Sequence, residues 1–209
     1  MPDFVIEEKF GDFVVGIDEA GRGPWAGPVV AGAVMFKSRQ ANPQLVNMLD
    51  DSKKLNVKKR EKIYDMLLEE AKKGNLVYGI GEASVEEIDN LNILQATFLA
   101  MKRAFEKLGV IPDMILVDGN QKPSSIKCAC KTVIKGDAKC CSISAASIIA
   151  KVYRDNIMRE LAEKYPYYGF EKNAGYGTKL HIEGLKTHGV SPFHRRSYKP
   201  IKEFLKNQK

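Results

Sequence analysis

Apolar positions in this chain gather into short runs that stop at acidic residues and glycine. Phe13-Val14-Val15-Gly16-Ile17 is a β-rich run followed by Asp18, Glu19, Gly21 and Gly23. Residues 29–36 form a second apolar run across a turn rich in Gly and Pro, which is the pattern of two neighbouring strands. Residues 77–83 are a weaker third run. Residues 114–117 are a fourth, stopped by Asp118-Gly119-Asn120, and residues 132–134 a fifth, stopped by Gly136-Asp137. Helical periodicity falls between them. Leu91, Leu94, Phe98, Met101, Phe105 and Leu108 recur at steps of three and four, and Gly109 and Pro112 close that helix. A helix is predicted from Asn56 to Gly74, and Ser84 with Glu87 reads as a capping box. A long helix over 141–164 has a small, apolar first half and a charged second half. This order predicts an α/β layered domain around a mixed sheet, antiparallel at its start and parallel later.

Four carboxylates then stand out. Asp18, Glu19, Asp118 and Asp137 each sit at or just past the C-terminal end of a predicted strand, beside glycine. In open α/β sheets the functional crevice lies outside those ends. If the first and fourth strands are parallel neighbours, Asp18 and Asp118 share one sheet edge. Alternation along a strand sends Asp18 and Glu19 to opposite faces, so their convergence calls for a bend, which Gly21 and Gly23 permit. Crowded carboxylates raise one another's pKa unless a cation sits among them, and an all-oxygen set favours Mg²⁺ or Mn²⁺ over zinc. Two such ions about 4 Å apart can activate water and stabilise a leaving oxygen in phosphodiester cleavage. Against this stands the ordinary preference of Asp and Gly for turns, weaker for four positions than for one. Arg22, flanked by glycines, adds a cation and accessible backbone N–H groups suited to a sugar-phosphate.

Composition narrows the setting. The 209 residues are 44% hydrophobic, enough for a real core. Apolar stretches such as 143–150 are broken by serines and fall short of the roughly 20 residues of a membrane span. The N-terminus shows no basic-then-apolar leader, so a cytoplasmic protein with no membrane association is the expectation. Cys128, Cys130, Cys140 and Cys141 lack zinc-ligand spacing and read as reduced, partly buried thiols. Net charge is +7, and residues 179–209 carry +6 of it, through Lys179, Lys186, Arg195, Arg196, Lys199, Lys202, Lys206 and Lys209 against Glu183 and Glu203. A concentrated basic end suits a polyanionic partner such as nucleic acid, or a solvated tail. Two parts are expected: a domain carrying the four carboxylates over 1–178 and a basic helical extension over 179–209 packed on it.

Six blocks in register resemble the bacterial ribonuclease HII family. They are Gly16-Ile17-Asp18-Glu19-Ala20-Gly21-Arg22-Gly23-Pro24; Asp51-Ser52-Lys53-Lys54-Leu55; Val117-Asp118-Gly119-Asn120; Lys135-Gly136-Asp137 running into residues 143–152; Gly175-Tyr176-Gly177-Thr178; and His194-Arg195-Arg196-Ser197. The resemblance spans residues 13–198. It implies a ribonuclease H-like fold with a five-stranded central sheet. It also implies cleavage of RNA in RNA–DNA hybrids and of single ribonucleotides in duplex DNA, on the 5′ side, leaving a 3′-hydroxyl and a 5′-phosphate. Carried over, Asp18, Glu19, Asp118 and Asp137 are the metal-binding catalytic set. Gly21, Arg22 and Gly23 meet the 2′-hydroxyl side of the ribonucleotide, Tyr176 stacks on the following sugar, and Lys53, Lys54, Ser144 and Lys151 lie near the phosphate backbone. Arg154, three residues after Lys151, is expected to face the same strand.

Some residues fall outside the blocks or fit them loosely. Trp25 and the Cys140-Cys141 pair read as packing residues, the histidines as structural with a DNA contact open to His194, and residues 4–10 match no block. The competing readings are another nuclease of the same fold and a non-catalytic hybrid binder. The binder explains four acids facing a polyanion poorly. No feature asks for an obligate protein partner, and a monomer is expected.

Overall fold

The computed structural model describes residues 1–38 and 42–206. Five strands form one sheet in the order β3-β2-β1-β4-β5: β1 (Val14–Ala20), β2 (Val29–Phe36), β3 (Leu76–Ala83), β4 (Met114–Asp118) and β5 (Cys130–Val133). The β1–β2 and β2–β3 pairs are antiparallel, and β1–β4 and β4–β5 are parallel. This is the mixed sheet that the apolar runs predict. Eight α-helices surround it among the described residues: α1 (Pro43–Met48), α2 (Val57–Lys72), α3 (Val85–Leu91), α4 (Ile93–Glu106), α5 (Cys141–Lys164), α6 (Phe170–Asn173), α7 (Lys179–His188) and α8 (Lys199–Lys206).

Strand alternation sorts the core into two layers. Val15, Ile17, Val29, Ala31, Ala33 and Met35 pack with Ala96, Ala100, Met101 and Ala104 of α4. Val34 and Phe36 turn to the other face, against α2 and the first half of α5. Each fully buried Val, Ile or Leu contributes about 1.5–3 kcal/mol. On the α5 face, Gly16 and Gly32 carry no side chain, and a Cβ at either would overlap the α5 backbone at Ser142–Ile143 or Ala146. Helix α5 therefore lies directly on the sheet. This close approach explains why residues 141–150 are small or apolar and all buried. The second half of α5 joins Tyr168, Phe170, Leu185 of α7 and Ile201 of α8 in a further cluster, which holds the C-terminal helical extension on the domain.

Three local expectations change. The helix expected over 91–108 breaks at Asn92, whose backbone adopts φ 71° while its side chain accepts from the amides of Leu94 and Gln95 to start α4. Ile134 lies beyond β5 and is exposed. Strand β1 runs on through Ala20, so Asp18 and Glu19, expected at or just past its end, are its fifth and sixth residues. Pairing explains that extension. The β1–β4 ladder stops at Ile17–Val117, while β1–β2 pairing continues through Asp18–Gly32, Glu19–Ala31 and Ala20–Val30. Lys209 of the basic end lies outside the described residues. Among the described residues no helix is long and apolar enough to cross a membrane.

Candidate active site

Where β1 outruns its parallel neighbour, the sheet opens at the switch between antiparallel and parallel order, the place an α/β crevice is expected. Asp18 is 6% exposed and Asp137 8% exposed at this edge. Asp118 ends β4, and its Oδ1 accepts from the Gly136 amide at 2.6 Å, which fixes the short 3-10 turn Gly136–Ala138 carrying Asp137. Asp18 Oδ1 accepts from the Glu19 amide at 2.7 Å. The chain bends after this acidic pair, at Gly21 with φ 96°, and not between its members.

Electrostatics tie the four together. Burial, then Glu19 and Asp118, hold the Asp18 carboxyl well above its ordinary range, against hydrogen bonds from Ser147 and the Glu19 amide. Burial raises Glu19 too, opposed by Arg22, with Asp118 again raising it. Burial, then Asp118 and Asp51, raises Asp137. Like charge is thus in excess at one oxygen-only site, the condition a divalent cation relieves. Among the described residues no three His, Cys, Asp or Glu side chains are drawn together tightly enough to hold an ion by themselves.

Beside the acids lies a groove of about 590 Å³. Glu19, Gly21, Arg22, Gly23, Lys53, Lys151 and Tyr176 line it, so the structure brings most of the expected substrate residues to one space. Arg22 Nη1 stands 3.3 Å from Glu19 Oε1. Tyr176 is 53% exposed, and a Cβ on Gly23 would come within 3.2 Å of its ring. The amides of Arg22 and Gly23 donate to no protein acceptor among the described residues. Lys151 donates to Asp155, which also takes Arg60 Nη1 at 3.2 Å. Arg60 in turn donates to the carbonyls of Ser52 and Leu55, fixing the loop that presents Lys53.

Other expected residues stand elsewhere. Lys54 does not border the groove, and its Nζ lies 3.7 Å from Asp50 Oδ1. Ser144 is fully buried and donates to the Asp50 carbonyl, so it supports the loop instead of lining the groove. Ser147, one turn on, is the α5 serine that reaches Asp18, and its Oγ lies 2.8 Å from Ser52 Oγ.

Two arginines of the basic inventory are internal. Arg154 donates to the carbonyls of Pro28, Ala174 and Ala26. Arg195, 0% exposed, donates to those of Gly21, Arg22, Gly27 and Pro28. A guanidinium has five donors and needs no carboxylate once carbonyls fill them. Arg195 therefore braces the glycine turn from behind, while Arg154 ties Ala26 and Pro28 to Ala174 at the inner wall of the groove.

His194 is likewise buried, its Nε2 2.8 Å from His181 Nε2. Burial and His181 push it down to about 4, so it is a neutral interior group and not a basic DNA contact. His181 Nδ1 lies 3.0 Å from the Tyr176 carbonyl, linking this pair to the aromatic wall of the groove. Trp25 packs against Gly177 and the His181 ring, while Cys140 and Cys141 are buried at the start of α5. A brace arginine and a surface arginine look alike in one sequence, so burial was the missing signal.

Known proteins match this arrangement closely. The family model described as Ribonuclease HII matches residues 15–201. A ribonuclease HII of Marinomonas sp. (strain MWYL1) is 50% identical over 98% of this chain and 99% of its own length. One from Gluconobacter oxydans (strain 621H) is also 50% identical, over 98% of this chain and 97% of its own. The crystal structure of ribonuclease H2 from Pyrococcus horikoshii OT3 superposes with a TM-score of 0.75 at 29% identity, covering 93% of this chain and 98% of that one. With motifs, sheet order and relatives in agreement over nearly all its length, the chain belongs to the ribonuclease HII family.

Proposed function

We propose that this chain is a divalent-metal-dependent endoribonuclease. It hydrolyses the RNA strand of RNA–DNA hybrids and nicks duplex DNA on the 5′ side of an embedded ribonucleotide, leaving 3′-hydroxyl and 5′-phosphate ends. One observation carries this reading beyond family membership. Glu19 of the acidic set, the Gly21–Arg22–Gly23 turn and Tyr176 border the same groove.

The residues suit hard cations, because buried, mutually repelling carboxylate oxygens gain most from one. Mg²⁺ is commonly held by one or two carboxylates with waters and substrate phosphates, so a protein shell that is incomplete without substrate is in keeping with it. Asp18, Glu19, Asp118 and Asp137 would hold two Mg²⁺ or Mn²⁺ ions, which would supply water activation and charge stabilisation at the leaving oxygen. A structural neighbour of 18% identity and TM-score 0.76, Bst-RNase HIII, was solved in complex with Mn²⁺.

The chain's own groups do the positioning. The unclaimed amides of Arg22 and Gly23 hydrogen-bond the ribose 2′-hydroxyl and its phosphate, and that hydroxyl is what separates RNA from DNA. Tyr176 packs its exposed ring on the next sugar. Lys53 and Lys151 pair with flanking phosphates across the groove. Residues 179–209 act as an extension of a catalytic unit over 1–178, supported by the cluster that α7 and α8 share with α5. The protein acts as a monomer.

The test compares a DNA duplex carrying one ribonucleotide with an all-DNA duplex, both in Mg²⁺. Only the first is nicked, and Asp118→Asn abolishes nicking while hybrid binding persists. Equal cutting of both duplexes would favour a general nuclease, and binding without cutting a non-catalytic binder.

A further inference from the structure

The N-terminal arm, which matches none of the family blocks, is tied to the start of α5. The Asp3 amide donates to Lys139 O, and the Cys141 amide donates back to Asp3 O, both at 3.2 Å. A 3-10 turn, Glu7–Lys9, then carries Glu7 inward until it is 3% exposed. Glu7 Oε1 accepts from the Ser142 amide at 3.0 Å and from its hydroxyl at 2.9 Å, whereas the buried Oε2 meets no hydrogen-bond partner among the described residues. Apolar contacts fasten the arm on either side. Phe4 meets Phe36 edge-on at 5.3 Å, and Ile6 and Phe10 pack on Val14, Leu116, Cys140 and Ile143.

The turn that Glu7 grips supports several parts of the candidate active site. It presses on Gly16, two residues before Asp18. Ile143 Cδ1 is where a Cβ on Gly136 would come within 2.6 Å, one residue before Asp137. Ser144 holds the Asp50 carbonyl near Lys53. The residue that would ordinarily cap α5, Cys140, makes no side-chain capping bond, so the carboxylate from the arm serves that end of the helix.

We propose that Glu7 is a positioning residue for the reaction: by gripping Ser142 it sets the first turn of α5 and, through it, the spacing of Asp137 from Asp118 and Asp18. The proposal rests on the functional reading above, and its test separates the two. Glu7→Ala, Glu7→Gln and Ser142→Ala are compared with the parent protein by Mn²⁺ affinity in calorimetry without substrate, by nicking kinetics across Mg²⁺ concentration, and by thermal unfolding. Glu7→Ala is expected to weaken Mn²⁺ binding and lower kcat by about tenfold each, with KM unchanged, as supporting residues of metal sites do. Glu7→Gln, which keeps the Oε1 acceptor, restores most of both. Ser142→Ala, the milder lesion, moves both in the same direction and serves if Glu7→Ala does not fold. Metal affinity and kcat at parental values in either alanine variant, with only Tm lowered, would overturn the proposal. A parent protein that binds Mn²⁺ but cuts nothing would fail the functional reading, and the affinities would still decide the role of Glu7.

Discussion

Arg195 Nη2 and the Gly21 carbonyl meet at 2.6 Å inside the protein, and that bond fixes which way the glycine turn faces. The same guanidinium also takes Arg22 O at 3.0 Å, Gly27 O at 2.9 Å and Pro28 O at 3.1 Å. Carbonyls drawn inward leave the other side of the turn to the groove. A lysine ammonium cannot span these acceptors, so Arg195→Lys leaves buried carbonyls unpaired and is expected to cost about 2–4 kcal/mol in urea unfolding. Nicking at a lone ribonucleotide should fall with it, by about tenfold or more, because orientation is lost along with stability.

Gly21 is sensitive for a second reason. Its φ of 96° is a region side chains rarely enter, and a Cβ there would overlap Arg154 Nε. Gly21→Ala is expected to lose about 1–3 kcal/mol of stability and most of its nicking, with circular dichroism unchanged. Calorimetric Tm and single-turnover rates check both.

The acidic set makes stability depend on pH and metal in a defined direction. Asp18 holds its proton more tightly folded than unfolded, so its contribution is present at low pH and is lost as pH rises from its ordinary value of 3.8 through the raised one. Glu19 and Asp137 act in the same direction. His194, lowered to about 4 from 6.5, acts oppositely, its stabilisation fading as pH falls below 6.5. Asp18→Asn isolates the carboxylate part: it should raise metal-free stability at pH 8 relative to pH 4. In the parent protein Mg²⁺ should raise Tm more at pH 8 than at pH 5, and much less in Asp18→Asn. Equal Mg²⁺ shifts at both pH values would contradict this.

Tyr176 is half exposed and anchored mainly through its backbone, its carbonyl taking the Thr178 amide at 2.8 Å. Removing the ring therefore should hardly move stability, within about 0.5–1 kcal/mol. Tyr176→Ala is expected to slow cleavage at a single ribonucleotide, while Tyr176→Phe retains most of the rate. Unchanged rates in Tyr176→Ala would remove its assigned contact.

Much of this site was legible from the chain because strand runs and their acidic ends are local patterns. The five strands, the capping box at Ser84 and the limits of α5 follow from composition and periodicity. What escaped was whatever tertiary contact decides. Nothing in Arg154 or Arg195 tells a buried brace from a phosphate contact, and Ser147 differs from Ser144 only in which way α5 turns it. An apolar run that stops at Ile17 puts Asp18 and Glu19 at or just past the strand end, because charge usually closes such a run. Pairing with β2 carries the strand through them. The arm around Glu7 has no periodicity, and its partner lies 135 residues away.

The most direct measurement is anomalous scattering from Mn²⁺ in crystals of the protein with a ribonucleotide-containing duplex. The expected result is manganese density within coordination distance of Asp18, Glu19, Asp118 and Asp137, with the ribose 2′-hydroxyl against the Gly21–Gly23 turn. Manganese bound elsewhere, or Asp137 standing clear of every ion, would contradict a shared metal centre.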